Sequence, residues 1–175
     1  LAIWDLDGPG YVPADFGKRW WMFGARGTGM PLLAGLIRPE EVAAGEIRHA
    51  LACATPINRR AAFPGGPLEL CSPPAARSDG RLDGLQFIPA GARLQLDPAL
   101  DLDALGLSPA SRVVARAMQV YGLINADAAD TFKLYFQNLG PDGGRWRELG
   151  DFRDLAKIPI DRFRVLACQT ASKMP

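Results

Sequence analysis

The sequence predicts a mainly β fold: an antiparallel β-sandwich, jelly-roll-like, with a few helices at the connections. Three observations carry this. Short runs of strand-forming residues with a two-residue period recur between turn signals. The 19 Gly and 15 Pro among 175 residues break the chain before most helices could extend. Only the stretch from Ser108 to Gly122 has a clear helical period. A chain of this length, 48% hydrophobic and 22% charged, reads as one globular domain with a sizeable core.

The elements follow in chain order. Residues 1 to 8 read as a strand running into the Gly8–Gly10 turn. Lys18 to Phe23 has strand-forming residues within an aromatic-rich segment: Trp4, Tyr11, Phe16, Trp20, Trp21 and Phe23. Gly24-Ala-Arg-Gly-Thr-Gly-Met-Pro reads as a tight loop. Its G-x-x-G-x-G spacing is not a dinucleotide fingerprint, and it lacks the Gly-Lys-Ser/Thr ending of a phosphate loop. Pro39, Glu40, Glu41 and Gly45 mark the start and stop of a short helix. Glu46 to Ala54 follows as a strand, with Ile47, His49, Leu51 and Cys53 on one face.

From residue 55 to 91, six prolines and the Ser78-Asp79-Gly80 turn make an irregular stretch, with short strands expected at Leu68–Cys71 and Leu85–Ile88. Ala92 to Leu96 is a better strand. Ser108 caps the main helix and Pro109 opens it. Val113, Ala117, Val120 and Tyr121 form its stripe, Val114 and Met118 widen it, and Gly122 ends it. A hairpin is expected next, from Leu123–Ala126 and Thr131–Phe136, with Phe132, Leu134 and Phe136 on one side. A charged short helix, Asp151–Lys157, and a strand, Arg162–Ala167, complete the order.

Composition excludes several functions. Net charge is +1, with basic and acidic residues interspersed, so no nucleic-acid stripe forms. No apolar run reaches the roughly 20 residues of a membrane span, and no signal peptide is present. One His and three Cys exclude a Cys2His2 zinc site. Cys53, Cys71 and Cys168 form no Cys-x-x-Cys motif. They are buried thiols in a reducing compartment, or one bridge and one spare thiol in an oxidising one.

The acidic groups Asp5, Asp7, Asp15 and Asp97, Asp101, Asp103 do not have EF-hand spacing, so a calcium ion is unsupported and no cofactor is expected. His49, on a strand near Arg48 and Arg59, is a candidate acid or base; the plainer reading is a half-buried histidine bonded to a carbonyl. Tyr121 is a candidate proton donor, or a ring packed at a helix end. Asp79 lies on a turn in a proline-rich loop that also holds Arg77, and turn formation is the commoner reason for such an Asp. Some pair of carboxylates could serve glycosidic cleavage if it stood roughly 5 to 9 Å apart, and the sequence singles out no pair. Trp20 and Trp21 could stack on sugar rings or fill the core.

The run from Gly29 to Leu51, Gly-Met-Pro-Leu-Leu-Ala-Gly-Leu-Ile-Arg-Pro-Glu-Glu-Val-Ala-Ala-Gly-Glu-Ile-Arg-His-Ala-Leu, resembles the motif GLPLLxGLIRxxE(V/L)xxGxIxHAL of a family of uncharacterised secreted bacterial proteins. Ser78-Asp79-Gly80, the run Ile88–Pro98 and the run Ala117–Asp127 extend the resemblance in the same order. Phe63-Pro64 stands where many of that family have Trp-Pro. The resemblance implies an extracellular or periplasmic location, and that this chain is the larger, C-terminal part of a longer exported protein. It also places His49, Tyr121 and Asp127 on motif positions.

The expected function is therefore a secreted carbohydrate-active protein, a polysaccharide hydrolase or lyase. His49, Tyr121 and Asp127 would be catalytic; Arg48, Arg59, Trp20, Trp21 and Asp79 would bind substrate. The alternative is a non-catalytic extracellular module that binds glycan, another protein segment or another subunit.

Overall fold

The computed structural model describes residues 26–61, 70–71, 74–141 and 143–168. The strands expected at residues 1–8 and 18–23, the residues Trp4, Trp20, Trp21, Asp5, Asp7 and Asp15, and Leu68 and Glu69 lie outside them. Among the described residues there are five strands: β1 (Leu51–Thr55), β2 (Arg93–Leu96), β3 (Leu123–Ala128), β4 (Lys133–Leu134) and β5 (Phe163–Val165). They form one mixed sheet in the order β4-β1-β3-β2-β5. Three α-helices accompany it: α1 (Pro39–Ala43), α2 (Pro109–Val120) and α3 (Trp146–Leu149). A 3-10 helix spans Phe152–Lys157.

A β fold with helices in the connections is what the sequence leads one to expect. The detail differs in four ways. The described residues hold a single sheet, not the two of a sandwich. Its central pair, β1 and β3, is parallel, while the other pairings are antiparallel. The expected hairpin between Leu123–Ala126 and Thr131–Phe136 does not form, because β4 pairs with β1 instead. The cause is visible at the turn. The Ala129 N–H donates to the Thr55 carbonyl, so the chain crosses the end of β1 and returns along its far side. Leu85–Ile88 also makes no strand; only Ile88 is bridged, to Asn58.

The sheet's two faces are covered differently. Leu51, Cys53, Leu94, Leu96 and Leu123 point to the larger core, which α2 fills with Ala110, Val114, Ala115, Ala117 and Met118. Phe132, Leu134 and Phe136 join this side, as their two-residue spacing predicts. The buried stripe of α2 centres on Val114 and Met118; Val120, expected on it, is exposed, and Tyr121 is half-buried. The other face is narrower. Ala52, Ile124, Ala126 and Tyr135 meet Met30 and Ala34 there.

The boundaries of α2 follow capping chemistry. The Ser108 hydroxyl accepts from the Ser111 N–H at 3.3 Å, Pro109 takes the first position, and Gly122 ends the helix at φ +77°. Gln119 is buried on this helix. Its amide donates to the carbonyls of Asp97 and Leu100, both at 2.9 Å, so its polar end is satisfied and the loop after β2 is held. Cys71 and Cys168 are placed to form a disulfide, with Cα atoms 5.0 Å apart, and Cys53 is the buried free thiol. Burial pushes the Cys53 thiol up to about 12, which keeps it protonated and unreactive.

Candidate functional site

The sheet's register brings one polar cluster together. β1 and β3 pair in step from Leu51↔Leu123 to Cys53↔Asn125, and then Ala54 pairs with Asp127. One extra residue, Ala126, is accommodated on β3. Side chains alternate along a strand, so without this bulge Asp127 would face the larger core. With it, Asp127 turns to the face of Ala52 and Tyr135.

There it meets three groups. The Gly27 N–H donates to Asp127 Oδ1 at 2.6 Å. The Tyr135 hydroxyl donates to Asp127 Oδ2 at 2.8 Å. Asp79 approaches from the loop before β2 and faces Asp127 carboxyl to carboxyl. Gly27 itself is wedged against Asp79: a Cβ there would meet the Asp79 carboxylate at 1.9 Å, so no larger residue fits without displacing it.

The Ser78-Asp79-Gly80 turn has a specific job in this arrangement. The Ser78 hydroxyl donates to the Arg59 carbonyl at 2.9 Å, and Asp79 Oδ2 accepts from the Ala128 N–H at 2.9 Å. A Cβ on Gly80 would lie 2.2 Å from the Arg59 carbonyl oxygen, so only glycine allows the loop to lie this close. The three residues thus clamp the loop to both the 58–60 segment and the end of β3.

Behind Asp127 lies Arg26, which is 1% exposed. Its guanidinium sits 4.6 Å from the centre of the Tyr135 ring and donates to the Leu32 carbonyl at 2.8 Å. Its Nε and Nη1 atoms are buried with no hydrogen-bond partner among the described residues. Burial lowers the Arg26 pKa, and the nearby Tyr135 and Asp127 oppose that shift. Burial raises the Tyr135 pKa, helped by its bond to Asp127, so the phenol stays protonated.

Asp127 is held above the usual carboxylate range. Burial is the largest cause; the bonds from Gly27 and Tyr135 pull the other way, and the facing Asp79 pushes up again. An acid whose folded pKa is raised stabilises the fold below its unfolded pKa. That contribution is lost as pH rises through the raised value. Thermal melts from mildly acidic to neutral pH should therefore show wild type losing stability relative to Asp127→Asn as pH rises. A constant difference between the two proteins would refute this assignment.

The remaining expected site residues lie elsewhere. His49 precedes β1 and Tyr121 precedes β3, next to each other in the sheet's register but at the end opposite Asp127. Six residues of strand separate Tyr121 from Asp127, about 20 Å. Both ring nitrogens of His49 face acceptors: Nδ1 the Ala50 carbonyl at 3.0 Å and Nε2 the Glu41 carboxylate at 3.2 Å. Both ring nitrogens are thus turned toward groups of the chain itself. Arg48 is exposed and paired with Glu46 at 2.7 Å. Arg59 is buried beside the Ser78 clamp.

The structure thus brings Asp79 and Asp127 together and sets His49 and Tyr121 apart from them. Arg26, Gly27 and Tyr135 were not singled out by sequence; the tight G-x-x-G-x-G loop was the only local signal for the first two. Among the described residues, no group of three or more His, Cys, Asp or Glu is placed to hold a metal ion, and no helix is long and apolar enough to cross a membrane. No family model, curated protein or solved structure matches this chain.

Proposed function

We propose that the protein is a secreted carbohydrate-active enzyme, a polysaccharide hydrolase or lyase, whose acid–base chemistry runs on Asp127. The observation that carries this is the carboxyl pair: Asp127 faces Asp79, is biased toward its protonated form, and bonds a phenol. An acid that keeps its proton can deliver it to a departing glycosidic oxygen. Asp79 also lines a cavity of about 490 Å³, so a substrate lodged there would lie against the Asp79 side of the pair. The two carboxyls touch instead of flanking a sugar ring. That favours one proton donor with an orienting partner over the two-sided arrangement with roughly 5 to 9 Å between carboxyls. A Cys71–Cys168 bridge suits an oxidising, extracellular or periplasmic setting.

The test is turnover across a polysaccharide panel, read as new reducing ends and as unsaturated products. Asp127→Asn should lower the rate at least about a hundredfold, and His49→Ala should leave it within about twofold. Turnover that survives Asp127→Asn would sink the proposal. The second reading is a non-catalytic module that binds glycan or another subunit. The neighbouring Leu32 and Leu33, 53% and 64% exposed beside the second face, favour it as a contact surface. Binding with no turnover on any polymer would select it.

A further inference from the structure

We infer that Arg26 is the counter-ion of the Asp127 acid, a positioning residue whose buried charge stabilises the carboxylate left when Asp127 gives up its proton. This deepens the acid–base reading above and rests on it, because it names what governs that acid. Two routes join the residues. Gly27, the next residue after Arg26, donates its N–H to Asp127 Oδ1 at 2.6 Å. The Arg26 guanidinium lies 4.6 Å from the centre of the Tyr135 ring, and the Tyr135 hydroxyl donates to Asp127 Oδ2 at 2.8 Å. A phenol ring and one hydrogen bond thus lead from the cation to the carboxyl. Thr28 fixes the segment against β3: its N–H and its hydroxyl both donate to the Ala126 carbonyl, at 3.2 and 2.8 Å.

The charge is costly where it stands. Arg26 is 1% exposed, and its one side-chain hydrogen bond among the described residues runs from Nη2 to the Leu32 carbonyl. No carboxylate among those residues bonds it. A buried cation without a bonded anion is harder to keep than an apolar side chain of similar size. Chains break local rules of this kind mainly at functional positions. The titratable groups that act on Arg26 are Tyr135, Asp127 and Cys53. Burial holds the Tyr135 phenol and the Cys53 thiol protonated at neutral pH, so Asp127 is the one of the three whose charge changes in the ordinary range.

Ionisation of Asp127 turns a lone cation into an ion pair. The proton leaves, and the Gly27 N–H and the Tyr135 O–H are already aimed at the two oxygens. Both bonds strengthen when their acceptor becomes charged. The low local dielectric enlarges the attraction between carboxylate and guanidinium. Asp79 acts in the opposite sense, as a carboxyl facing Asp127. The other charges nearby are engaged elsewhere. Arg77 donates to the Arg26 and Gly27 carbonyls at 2.9 and 3.0 Å, and Asp130 is paired with Lys133 at 2.6 Å. Asp79 therefore holds the proton on, and Arg26 makes it removable.

The test is a carbon-13 NMR titration of the Asp127 carboxyl in the full chain. Asp79 and Asp127 titrate as a pair, so the quantity read is the pair's upper midpoint. Arg26→Gln should raise it by about one pH unit or more, and Arg26→Lys, which keeps the charge, should stay within about half a unit of wild type. A second arm needs no change at Arg26. Its Nε resonance should shift with pH at the Asp127 midpoint, and that step should vanish in Asp127→Asn. Where turnover is found, the basic limb of kcat/KM should move up in pH together with the Arg26→Gln midpoint.

An unmoved midpoint in Arg26→Gln, an equal rise in Arg26→Gln and Arg26→Lys, or an Arg26 resonance blind to the Asp127 step would overturn the inference. The resonance decides alone if Arg26→Gln does not fold. A raised midpoint in a protein that cleaves no polysaccharide keeps the counter-ion and removes the catalytic reading. Cleavage that depends on Asp127, with the midpoint unmoved in Arg26→Gln, does the reverse.

Discussion

Asp127→Ala will destabilise the fold by about 2–3 kcal/mol, whereas Asp127→Asn will cost far less at neutral pH. The reason is what each substitution leaves behind. Alanine removes both acceptors, stranding the Gly27 N–H and the Tyr135 hydroxyl, and it takes the carboxyl away from beside the buried Arg26. A buried donor with no partner costs more than the bond it once made contributed. Asparagine keeps an oxygen for one of the donors and can donate its own amide to Asp79, ending the repulsion between two carboxyls. Urea unfolding at neutral pH decides the matter. The midpoint should fall clearly for alanine and little for asparagine, with the same slope. Equal losses would mean that the cluster is held by shape and not by these hydrogen bonds.

The second large effect is expected at the Cys71–Cys168 bridge. The two cysteines are 97 residues apart in sequence. Closing so long a loop removes much of the unfolded chain's freedom, which the chain-entropy estimate puts at about 4–5 kcal/mol, with about 2–5 kcal/mol commonly measured for native bridges. Cys71→Ser should lower stability by an amount in this range, and a reducing agent should do the same to wild type but nothing further to the variant. Peptide mapping without reduction should find Cys71 joined to Cys168 and Cys53 unbridged. A bridge involving Cys53, or melts indifferent to reductant, would refute the pairing.

Local rules read from the sequence served well where local chemistry decides. Ser108, Pro109 and Gly122 mark the ends of α2 because capping needs only neighbours in sequence. The spacing of Phe132, Leu134 and Phe136 places them on one face for the same reason. Pairing is another matter. Leu123–Ala126 and Thr131–Phe136 look like two arms of a hairpin, yet β1, about 80 residues earlier in the chain, takes the place between them. A hydrophobic period says which face a strand buries and not which strand lies beside it.

The candidate site shows the same division. Asp79 and Asp127 were each legible as carboxylates with a purpose, one on a turn motif and one at the end of a matched run. Their meeting was not, because it depends on a register shift that leaves no mark in composition or period. Tyr135 was legible only as the outward residue between Leu134 and Phe136. Tyr121 drew attention instead because it ends the clearest helix.

The single surplus residue in β3 has a consequence for how this region tolerates change. Substitutions around Ala126 alter one side chain at a time, and a conservative one leaves the site aligned. Flattening the bulge is different in kind. If β3 kept its length but ran in even step with β1, Asp127 would move opposite Thr55 and everything beyond Asn125 would rotate to the opposite side. The carboxyl at position 127 would then be thrust among Leu51, Cys53 and the α2 side chains, while the phenol and the Asp79 loop would face an alanine methyl. Removing Ala126 would instead leave Asp127 opposite Ala54 on its present face, so the arrangement depends on the irregularity or the loss of the surplus residue, and not on a regular strand of this length.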